Sequence, residues 1–180
     1  MPRQKSLLRV IAEPILIACV LAIAVRAFAR IYSVPSASME PALRPGDHIV
    51  VTRFLTDTPA RGDVIVFRHP AGADLTVKRV IAIAGDLIDT VDGRVRIAGQ
   101  PLAEPYAPGS AGSIPAQLVP AGHLFVMGDN RGDSWDSRHW GPLPARLIVG
   151  RARLVLWSAG DSRSTSLSIS GSRRIFKWIE

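Results

Sequence analysis

A long apolar run near the N-terminus sets the first limit on the fold of this chain. Residues 10–29 are predominantly apolar, and residues 15–25 carry no charge. About 20 helical residues rise roughly 30 Å, which matches the hydrocarbon core of a bilayer. The run therefore predicts a transmembrane helix. Two alternatives remain open: Ala27-Phe28-Ala29 resembles the cleavage site of a secretory signal peptide, and the run could instead form a buried helix of a soluble domain.

The basic residues before this run predict the orientation of the chain. Residues 1–9 contain three cations and no acidic side chain, and such a leader favours a cytoplasmic N-terminus. We therefore expect a cytoplasmic leader over residues 1–9, a transmembrane helix over residues 10–30 and an extracytoplasmic domain over residues 31–180. These boundaries place the protein in the inner or plasma membrane, with the lipid bilayer as a partner.

The residues after Pro35 predict a mainly β domain built from an antiparallel sheet. Short runs of apolar and β-branched residues alternate with Gly, Pro and Asp, and no long amphipathic helical pattern follows the N-terminal run. Residues 100–117 are rich in Pro, Gly, Ala and Ser and predict a flexible excursion. The predicted strands cover residues 48–53, 64–68, 75–83, 87–91, 95–97, 123–127 and 147–157.

Repeated turn signals support this assignment. Gly-Asp pairs precede or open three of the strands, at positions 46–47, 62–63 and 85–86. In such pairs the glycine supplies a positive φ and the aspartate accepts hydrogen bonds from nearby backbone amides. The Asp92-Gly93 pair predicts a two-residue hairpin turn of type I′.

Charge and cysteine content exclude several classes of site. The formal net charge of +7 is scattered along the chain, which favours a basic surface near a membrane over a nucleic-acid interface. Cys19 is the sole cysteine, so an intrachain disulfide and a cysteine metal cluster are excluded. We also find no glycine-rich phosphate loop, and we predict no metal, no cofactor and no nucleic-acid partner. Residues 172–180 are basic and aromatic, and they predict either a short amphipathic segment on lipid or a solvated tail.

A serine nucleophile activated by histidine lacks support in the sequence. Such a site needs a base that takes the hydroxyl proton, a group that orients the base, and donors for the oxyanion. No Gly-x-Ser-x-Gly nucleophile elbow is present, and the histidines lack metal-ligand spacing. The candidates for base and orienting group would be His48, His69, His123 and His139, with Asp129 or Asp136.

A lysine in the middle of the chain offers an alternative base. Lys78 lies in an apolar stretch, whereas the other two lysines lie in the terminal segments. Free lysine titrates near 10.4, so it accepts a proton at neutral pH only if burial among apolar groups lowers its pKa. On a strand Lys78 shares a face with Thr76, Val80 and Ala82, while Arg79 points to the other face and requires a carboxylate elsewhere. The competing interpretation is an edge-strand lysine that discourages aggregation.

A dense polar loop favours the functional interpretation. Residues 125–127 form a predicted strand that leads into residues 128–138, where hydroxyl, amide and carboxylate groups crowd together. A solvated turn does not need so many specific groups. These groups can hold one another and a neighbouring amine.

The order of these motifs resembles that of bacterial type I signal peptidases, which are membrane-anchored Ser-Lys endopeptidases. The likeness covers residues 13–157 and includes a closing strand at residues 149–153. The motifs are Pro35-Ser-Ala-Ser-Met-Glu-Pro-Ala-Leu43, Gly46-Asp47, Lys78-Arg79 before Gly85-Asp86, and Gly128-Asp-Asn-Arg with Ser134-Trp-Asp-Ser-Arg138.

The resemblance implies a β-rich catalytic core with Ser38 as the nucleophile and Lys78 as the general base. It also implies an oxyanion hole formed by the Ser38 backbone N–H and the Ser36 hydroxyl. The implied partners are exported preproteins, cleaved after small side chains at the first and third positions before the scissile bond.

The same resemblance assigns supporting roles in the polar loop. It implies that Ser134 orients the lysine amine, and that Asp136 and Arg138 form an ion pair that supports the loop, with Arg79 nearby. Three departures from the family pattern stand out: Ala42 replaces a common threonine, Ala37 replaces a frequent glycine, and Gly132-Asp133 replaces the commoner Asp-Asn.

Three other functions compete with a general signal peptidase. A conjugation-linked relative that processes pilin would share all the motifs. A soluble self-cleaving repressor would carry a DNA-binding helical module where this chain has its apolar run. A non-enzymatic, membrane-anchored β binding module would explain the anchor and the sheet, but it would leave the serine, lysine and loop set unexplained.

Overall fold

The computed structural model describes residues 7–53, 58–158 and 176–179 of the chain. Most of the predicted leader and much of residues 159–180 therefore lie outside the described residues. The helices are α1 (Leu7–Phe28) and α2 (Ser137–Trp140), with 3-10 turns at Ala37–Met39 and Ala145–Leu147. The strands are β1 (Ala29–Ser33), β2 (Asp47–Thr52), β3 (Val64–Arg68), β4 (Leu75–Ile83), β5 (Leu87–Val91), β6 (Arg94–Ile97), β7 (Gln100–Pro101), β8 (Gln117–Leu118), β9 (His123–Met127), β10 (Leu143–Pro144), β11 (Ile148–Ser158) and β12 (Lys177–Trp178).

The chain divides into two compact units, Met1–Arg30 and Ile31–Glu180. The first contains α1, a helix of 22 residues with Pro14 inside it. The apolar side chains of α1 that the structure describes are exposed, among them Ile15, which is 57% exposed. Within residues 7–53, 58–158 and 176–179, we find no helix with the combination of length and apolar character that a bilayer crossing requires.

The second unit confirms a mainly β, antiparallel architecture. Within the described residues its larger sheet has the strand order β1-β2-β11-β3-β4-β9-β10, with β12 paired to β11. The pairs β2–β11, β11–β3, β3–β4 and β4–β9 are all antiparallel. All seven predicted strands are confirmed, each within one residue at either end. The two-residue strands β7, β8, β10 and β12 were not predicted, because runs this short carry little periodicity. Strand β1 was not predicted either, and its first two residues fall within the helix expected over residues 10–30.

The Gly-Asp turns confirm the predicted turn chemistry. In each turn the aspartate carboxylate accepts a hydrogen bond from the backbone N–H three residues earlier. The distances from that N–H are 2.9 Å to Asp47, 2.8 Å to Asp63 and 2.9 Å to Asp86. The hairpin turn is also confirmed, since Asp92 and Gly93 both have positive φ, of 51° and 72°.

A smaller sheet has the strand order β7-β6-β5-β8, and its strands lie between β4 and β9 of the larger sheet along the chain. Residues 100–117, the predicted flexible excursion, contain β7 and the first residue of β8. They return over the hairpin, where Ala111 donates to the Gly93 carbonyl over 2.8 Å and Ile114 donates to the Thr90 hydroxyl over 2.7 Å. Ala111 and Ile114 are buried, so this stretch contributes to the hydrophobic core.

Three apolar clusters stabilise the second unit, and one of them holds the segment that follows Pro35. Met39 and Leu43 are fully buried against Ile49 and Val51 of β2 and their neighbours. Burying a side chain of this size stabilises a fold by about 1.5–3 kcal/mol. The segment 35–43 is thus anchored by apolar contacts within a few residues of its polar positions.

The described part of the C-terminal segment, residues 176–179, contains a short edge strand. Lys177 and Trp178 form β12, which pairs with Leu154 and Val155 of β11. Phe176 and Trp178 are 69% and 68% exposed, so the edge strand presents aromatic side chains outward.

Candidate active site

Ser38 lies in a short 3-10 helix that the fold holds at both ends. Before the helix, Val34 exchanges backbone hydrogen bonds of 2.8 Å with Asp47 and Gly46. After it, the Leu43 N–H donates to the Met39 carbonyl over 2.8 Å. The backbone is thereby fixed, and Ser38 is only 7% exposed. Its hydroxyl is presented inside the protein and not to bulk water.

Lys78 on β4 reaches this hydroxyl. Lys78 Nζ donates to Ser38 Oγ over 2.6 Å, although the residues are 40 positions apart. Lys78 is 3% exposed, and its cross-strand partner Ile65 and same-face neighbour Val80 are fully buried. An amine in such surroundings has little water to stabilise its charge.

Burial lowers the pKa of Lys78 from 10.5 to about 8. The charges around the amine act in both directions. Asp136, Asp133 and Asp129 favour the ammonium and raise the pKa, whereas Arg138 lowers it. Desolvation outweighs the net attraction of the carboxylates, so an appreciable fraction of the amine is neutral near neutral pH.

Ser36 lies beside the nucleophile position. Its Oγ is 3.2 Å from Ser38 Oγ, and its backbone is extended at the start of the 3-10 helix. The Ser38 N–H lies in the first turn of that helix, where amides have no partner within the helix. A hydroxyl and an amide are therefore available close to Ser38 Oγ.

Gly128 brings the polar loop against the nucleophile segment. A Cβ at this position would clash with the Ser38 carbonyl oxygen and with the Ser134 side chain. The Gly128 N–H donates to Asp136 Oδ2 over 3.0 Å. Only a residue without a side chain permits this approach.

The structure places Ser134 against Asp136. The Ser134 hydroxyl donates to Asp136 Oδ2 over 2.7 Å. Among the described residues, Lys78 Nζ hydrogen-bonds to Ser38 and makes no hydrogen bond with Ser134. That Ser134 orients the lysine amine stays a prediction, because its hydroxyl contacts Asp136 in this structure.

Asp136 and Arg138 form the predicted ion pair. Arg138 donates from Nε to Asp136 Oδ1 over 2.8 Å and from Nη2 to Oδ2 over 2.9 Å. Asp136 also caps α2 in a reciprocal arrangement with His139. Burial alone would raise the pKa of Asp136, but the hydrogen bonds from Arg138, Gly128 and Ser134 outweigh it and hold that pKa below its usual range. Asp136 is therefore a fixed negative charge at the centre of the loop.

Arg79 finds its carboxylate on Asp129. It donates from Nε and Nη2 to the two carboxylate oxygens over 2.9 and 2.7 Å, and both side chains are at most 1% exposed. Arg79 Nη1 donates to the Gly62 carbonyl over 2.9 Å. Arg79 therefore holds Asp129 at the start of the polar loop, whereas its predicted proximity to the Asp136–Arg138 pair stays a prediction.

Asn130 makes contacts that the sequence did not identify. Its N–H donates to the Ser38 carbonyl over 3.1 Å, and its side-chain Nδ2 donates to the Ala37 carbonyl over 3.3 Å. The sequence analysis included Asn130 in the Gly-Asp-Asn-Arg motif but did not assign it a role. Its hydrogen-bond partners could not be predicted from the motif, because they lie more than 90 residues away in the chain.

A cleft opens next to the nucleophile segment. It is lined by Pro41 and Ala42, by Tyr106 and by the C-terminal residues 176–179. A concave surface of this kind can receive an extended chain.

The histidines are not placed to act as a base for Ser38. His48 stacks on Trp157 and His139 stacks on Trp135, and in the described part of the chain no histidine hydrogen-bonds Ser38. Likewise, among those residues no group of three or more His, Cys, Asp or Glu side chains is placed to hold a metal ion. The arrangement around Ser38 therefore supplies a nucleophile, an adjacent amine base and nearby hydrogen-bond donors, which are the requirements for acyl transfer.

Comparison with known proteins points to the same chemistry. The family described as "Signal peptidase, peptidase S26" matches residues 7–157. The chain is 40% identical to "Signal peptidase I" of Leptolyngbya laminosa over 152 residues, covering 77% of this chain and 74% of that protein. It is 42% identical to "Probable signal peptidase I-1" of Synechocystis sp. over 150 residues, covering 77% and 76%. A crystal structure of a signal peptidase I from Enterococcus faecalis V583 aligns with a TM-score of 0.47 and 27% identity, over 53% of this chain and 97% of that one.

Proposed function

The chain belongs to the peptidase S26 family of signal peptidases, and we propose that Ser38 and Lys78 are the catalytic dyad with which it removes signal peptides from exported preproteins. The enzyme is a serine endopeptidase. One observation carries the assignment of the dyad: the buried contact of 2.6 Å between Lys78 Nζ and Ser38 Oγ.

Acylation begins with neutral Lys78. The amine takes the Ser38 hydroxyl proton as Oγ attacks the carbonyl carbon of the scissile bond. When the tetrahedral intermediate collapses, the C–N bond breaks and the Lys78 ammonium gives its proton to the leaving amine of the mature protein. The signal peptide remains esterified to Ser38.

Deacylation repeats the same steps with water. Lys78 takes a proton from a water molecule that attacks the ester carbonyl, and the proton then returns to Ser38 Oγ. The signal peptide leaves as a carboxylate, and the dyad is restored to its starting state. No cofactor or metal enters any step of this scheme.

We assign the oxyanion site to Ser36 and Ser38. The Ser36 hydroxyl lies 3.2 Å from Ser38 Oγ, and the Ser38 N–H belongs to the first turn of its helix. A hydroxyl and an amide placed in advance stabilise the charge that develops on the substrate oxygen, because neither has to reorganise during the reaction.

We further propose that the N-terminal segment anchors the enzyme in the membrane, with the catalytic domain on the extracytoplasmic side. Two observations support this assignment: residues 15–25 carry no charge, and the apolar side chains of α1 that the structure describes are exposed. The test is fractionation of cells that produce the full chain. Recovery of the protein in the membrane fraction after a carbonate wash, with its C-terminal domain open to external protease, supports the anchor. Recovery in the soluble fraction contradicts it.

Cleavage of a model preprotein by purified full chain tests the dyad. Ser38→Ala and Lys78→Arg should each lower kcat by at least about a thousandfold, since one removes the nucleophile and the other replaces the base with a group that stays charged. Lys5→Arg is the matched control, because it makes the same substitution in the N-terminal leader and keeps the positive charge there. Wild-type cleavage by either dyad variant would overturn the assignment.

A further inference from the structure

Three arginines near the dyad contact one short stretch, residues 104–111, which we call the arginine-bound segment. It lies within the stretch whose composition predicts a flexible excursion, and it has no part in the proposed reaction steps. The contacts are Arg131 with Glu104, Arg79 with Tyr106, and Arg138 with the Ala111 carbonyl.

The first of these contacts is a nearly buried ion pair. Arg131 donates from Nη2 to Glu104 Oε1 over 2.6 Å and from Nη1 to Oε2 over 3.2 Å. The side chains of Arg131 and Glu104 are 1% and 11% exposed. A guanidinium with so little access to water depends on its carboxylate partner, so Glu104 is the counter-charge that lets Arg131 occupy its position. The Tyr106 hydroxyl donates to Glu104 Oε1 over 3.2 Å and restrains the carboxylate further.

Arg131 in turn closes the loop around Asn130. Its Nε donates to the Gly128 carbonyl over 3.0 Å, which ties together the two ends of residues 128–131. Between them, Asp129 is held by Arg79 through two hydrogen bonds. Asn130 therefore has a fixed residue on each side.

Asn130 passes this restraint to the nucleophile. Its backbone and side chain hold the carbonyls of Ser38 and Ala37 over 3.1 and 3.3 Å. We propose that Glu104 is a positioning residue for the reaction, acting through Arg131 and Asn130 to hold Ser38 in line with Lys78. The inference rests on the proposed function of the dyad.

Glu104 gives a cleaner test of this idea than Tyr106. Tyr106 also lines the cleft beside Pro41 and Ala42, so its substitution can change substrate binding directly. Glu104 is not among the residues that line the cleft. A defect in its variant should therefore appear in kcat and leave KM nearly unchanged.

The experiment measures kcat and KM for Glu104→Gln in the full chain with a model preprotein. Glu104→Gln should lower kcat by roughly 10- to 100-fold with KM within about twofold, because a displaced nucleophile loses alignment and not affinity. Asp89→Asn is the matched control: Asp89 accepts two hydrogen bonds from Arg96 in the smaller sheet, and its variant should keep wild-type kcat. Glu104→Asp retains the charge and should recover most of the lost kcat, which also provides a folded variant if the glutamine variant is unstable.

A double-mutant cycle with Asn130→Ala separates positioning from general stability. Asn130→Ala removes the side-chain contact with Ala37 and keeps the backbone contact with Ser38, so if Glu104 acts through Asn130, Glu104→Gln should lower kcat by a smaller factor in the Asn130→Ala background than in the wild type. Losses that multiply in the double variant, a wild-type kcat in Glu104→Gln, or a loss that only follows the unfolded fraction would each overturn the inference. Failure of the dyad itself looks different, since it appears as absent wild-type cleavage or as activity in Ser38→Ala.

Discussion

Lys78 Nζ and Ser38 Oγ are 2.6 Å apart in a site where the amine is 3% and the serine 7% exposed. The short contact and the burial act together. Burial lowers the pKa of Lys78, so a fraction of the amine is neutral near neutral pH. The contact places that amine next to the proton of the Ser38 hydroxyl. The catalytic behaviour of the protein should therefore follow the protonation state of one side chain.

The first prediction concerns the pH dependence of activity. Because burial lowers the pKa of Lys78 to about 8, kcat/KM should rise through an inflection near pH 8 and level off above it. The measurement is kcat/KM for a model preprotein between pH 6 and 10. An inflection near 10.5, or a flat profile across this range, would contradict the assignment of Lys78 as the base.

A second prediction uses the carboxylate of Asp133, which raises the pKa of Lys78 through its charge. Asp133 is exposed, so Asp133→Asn should leave the site intact and shift the inflection to lower pH by roughly 0.2 to 0.5 pH unit. Activity at pH 7 should rise accordingly. Asp74→Asn, an exposed substitution in the loop between β3 and β4, is the control and should leave the profile in place. A shift towards higher pH in Asp133→Asn would show that the electrostatic account is wrong.

Stability should depend on pH through the same amine. The pKa of Lys78 is about 8 in the folded protein and near 10.4 in an unfolded chain, so the unfolded state binds more protons between these values. The free energy of unfolding should therefore rise with pH across this window by up to about 3 kcal/mol, with the full penalty present below pH 8.

Lys78→Met provides the comparison for this effect. The variant has no amine to desolvate, so its free energy of unfolding should exceed that of the wild type near pH 7 and converge with it above about pH 10.5. Denaturant titrations of both proteins at several pH values measure the difference. A difference that stays constant with pH would contradict the linkage.

Gly128→Ala should separate close packing from loop flexibility. The added Cβ would clash with the Ser38 carbonyl and the Ser134 side chain, so we expect a loss of about 1–3 kcal/mol in stability and a severe loss of kcat. Gly132→Ala lies in the same loop with no atom within 4 Å of the new Cβ and should remain active. Equal activity of the two variants would show that the close approach at Gly128 is not required.

Asp129→Asn tests the buried pair at the start of the loop. It would leave Arg79, which is 1% exposed, without its carboxylate. Removing one partner of a buried ion pair costs about 3–5 kcal/mol, so the denaturation midpoint should fall sharply. A denaturation midpoint within experimental error of the wild type would mean that other groups stabilise the charge of Arg79.

Local chemistry made much of the fold predictable from the sequence. The strands of residues 64–68 and 75–83 were readable because a Gly-Asp pair precedes the first β-branched run and follows the second, and those pairs adopt the expected turns. Strand alternation also predicted that Lys78 and Arg79 point to opposite faces. In the structure Lys78 contacts Ser38, whereas Arg79 contacts Asp129.

The partners themselves were less predictable. The sequence required a carboxylate for Arg79 without identifying Asp129, which lies 50 residues away. Glu104 and Tyr106 were hidden in a stretch whose composition indicates flexibility. Composition reports local backbone preference, whereas the ion pair of Glu104 with Arg131 depends on how residues 100–117 return over the hairpin of the smaller sheet.

The register between β3 and β4 determines which side chain of β4 reaches Ser38. Lys78 lies opposite Ile65 and Arg79 lies opposite Val64, so sliding β4 by one position would replace the titratable amine at Ser38 with a guanidinium that cannot release its proton. We expect that lengthening or shortening the connection at residues 69–74 leaves this ladder unaltered, whereas a single residue gained or lost within 75–77 would move Lys78 out of line with Ser38 and abolish cleavage, although both side chains remain in the protein. Insertions in this hairpin should therefore be tolerated up to the first strand pair, Arg68 with Leu75, and should abolish activity beyond it.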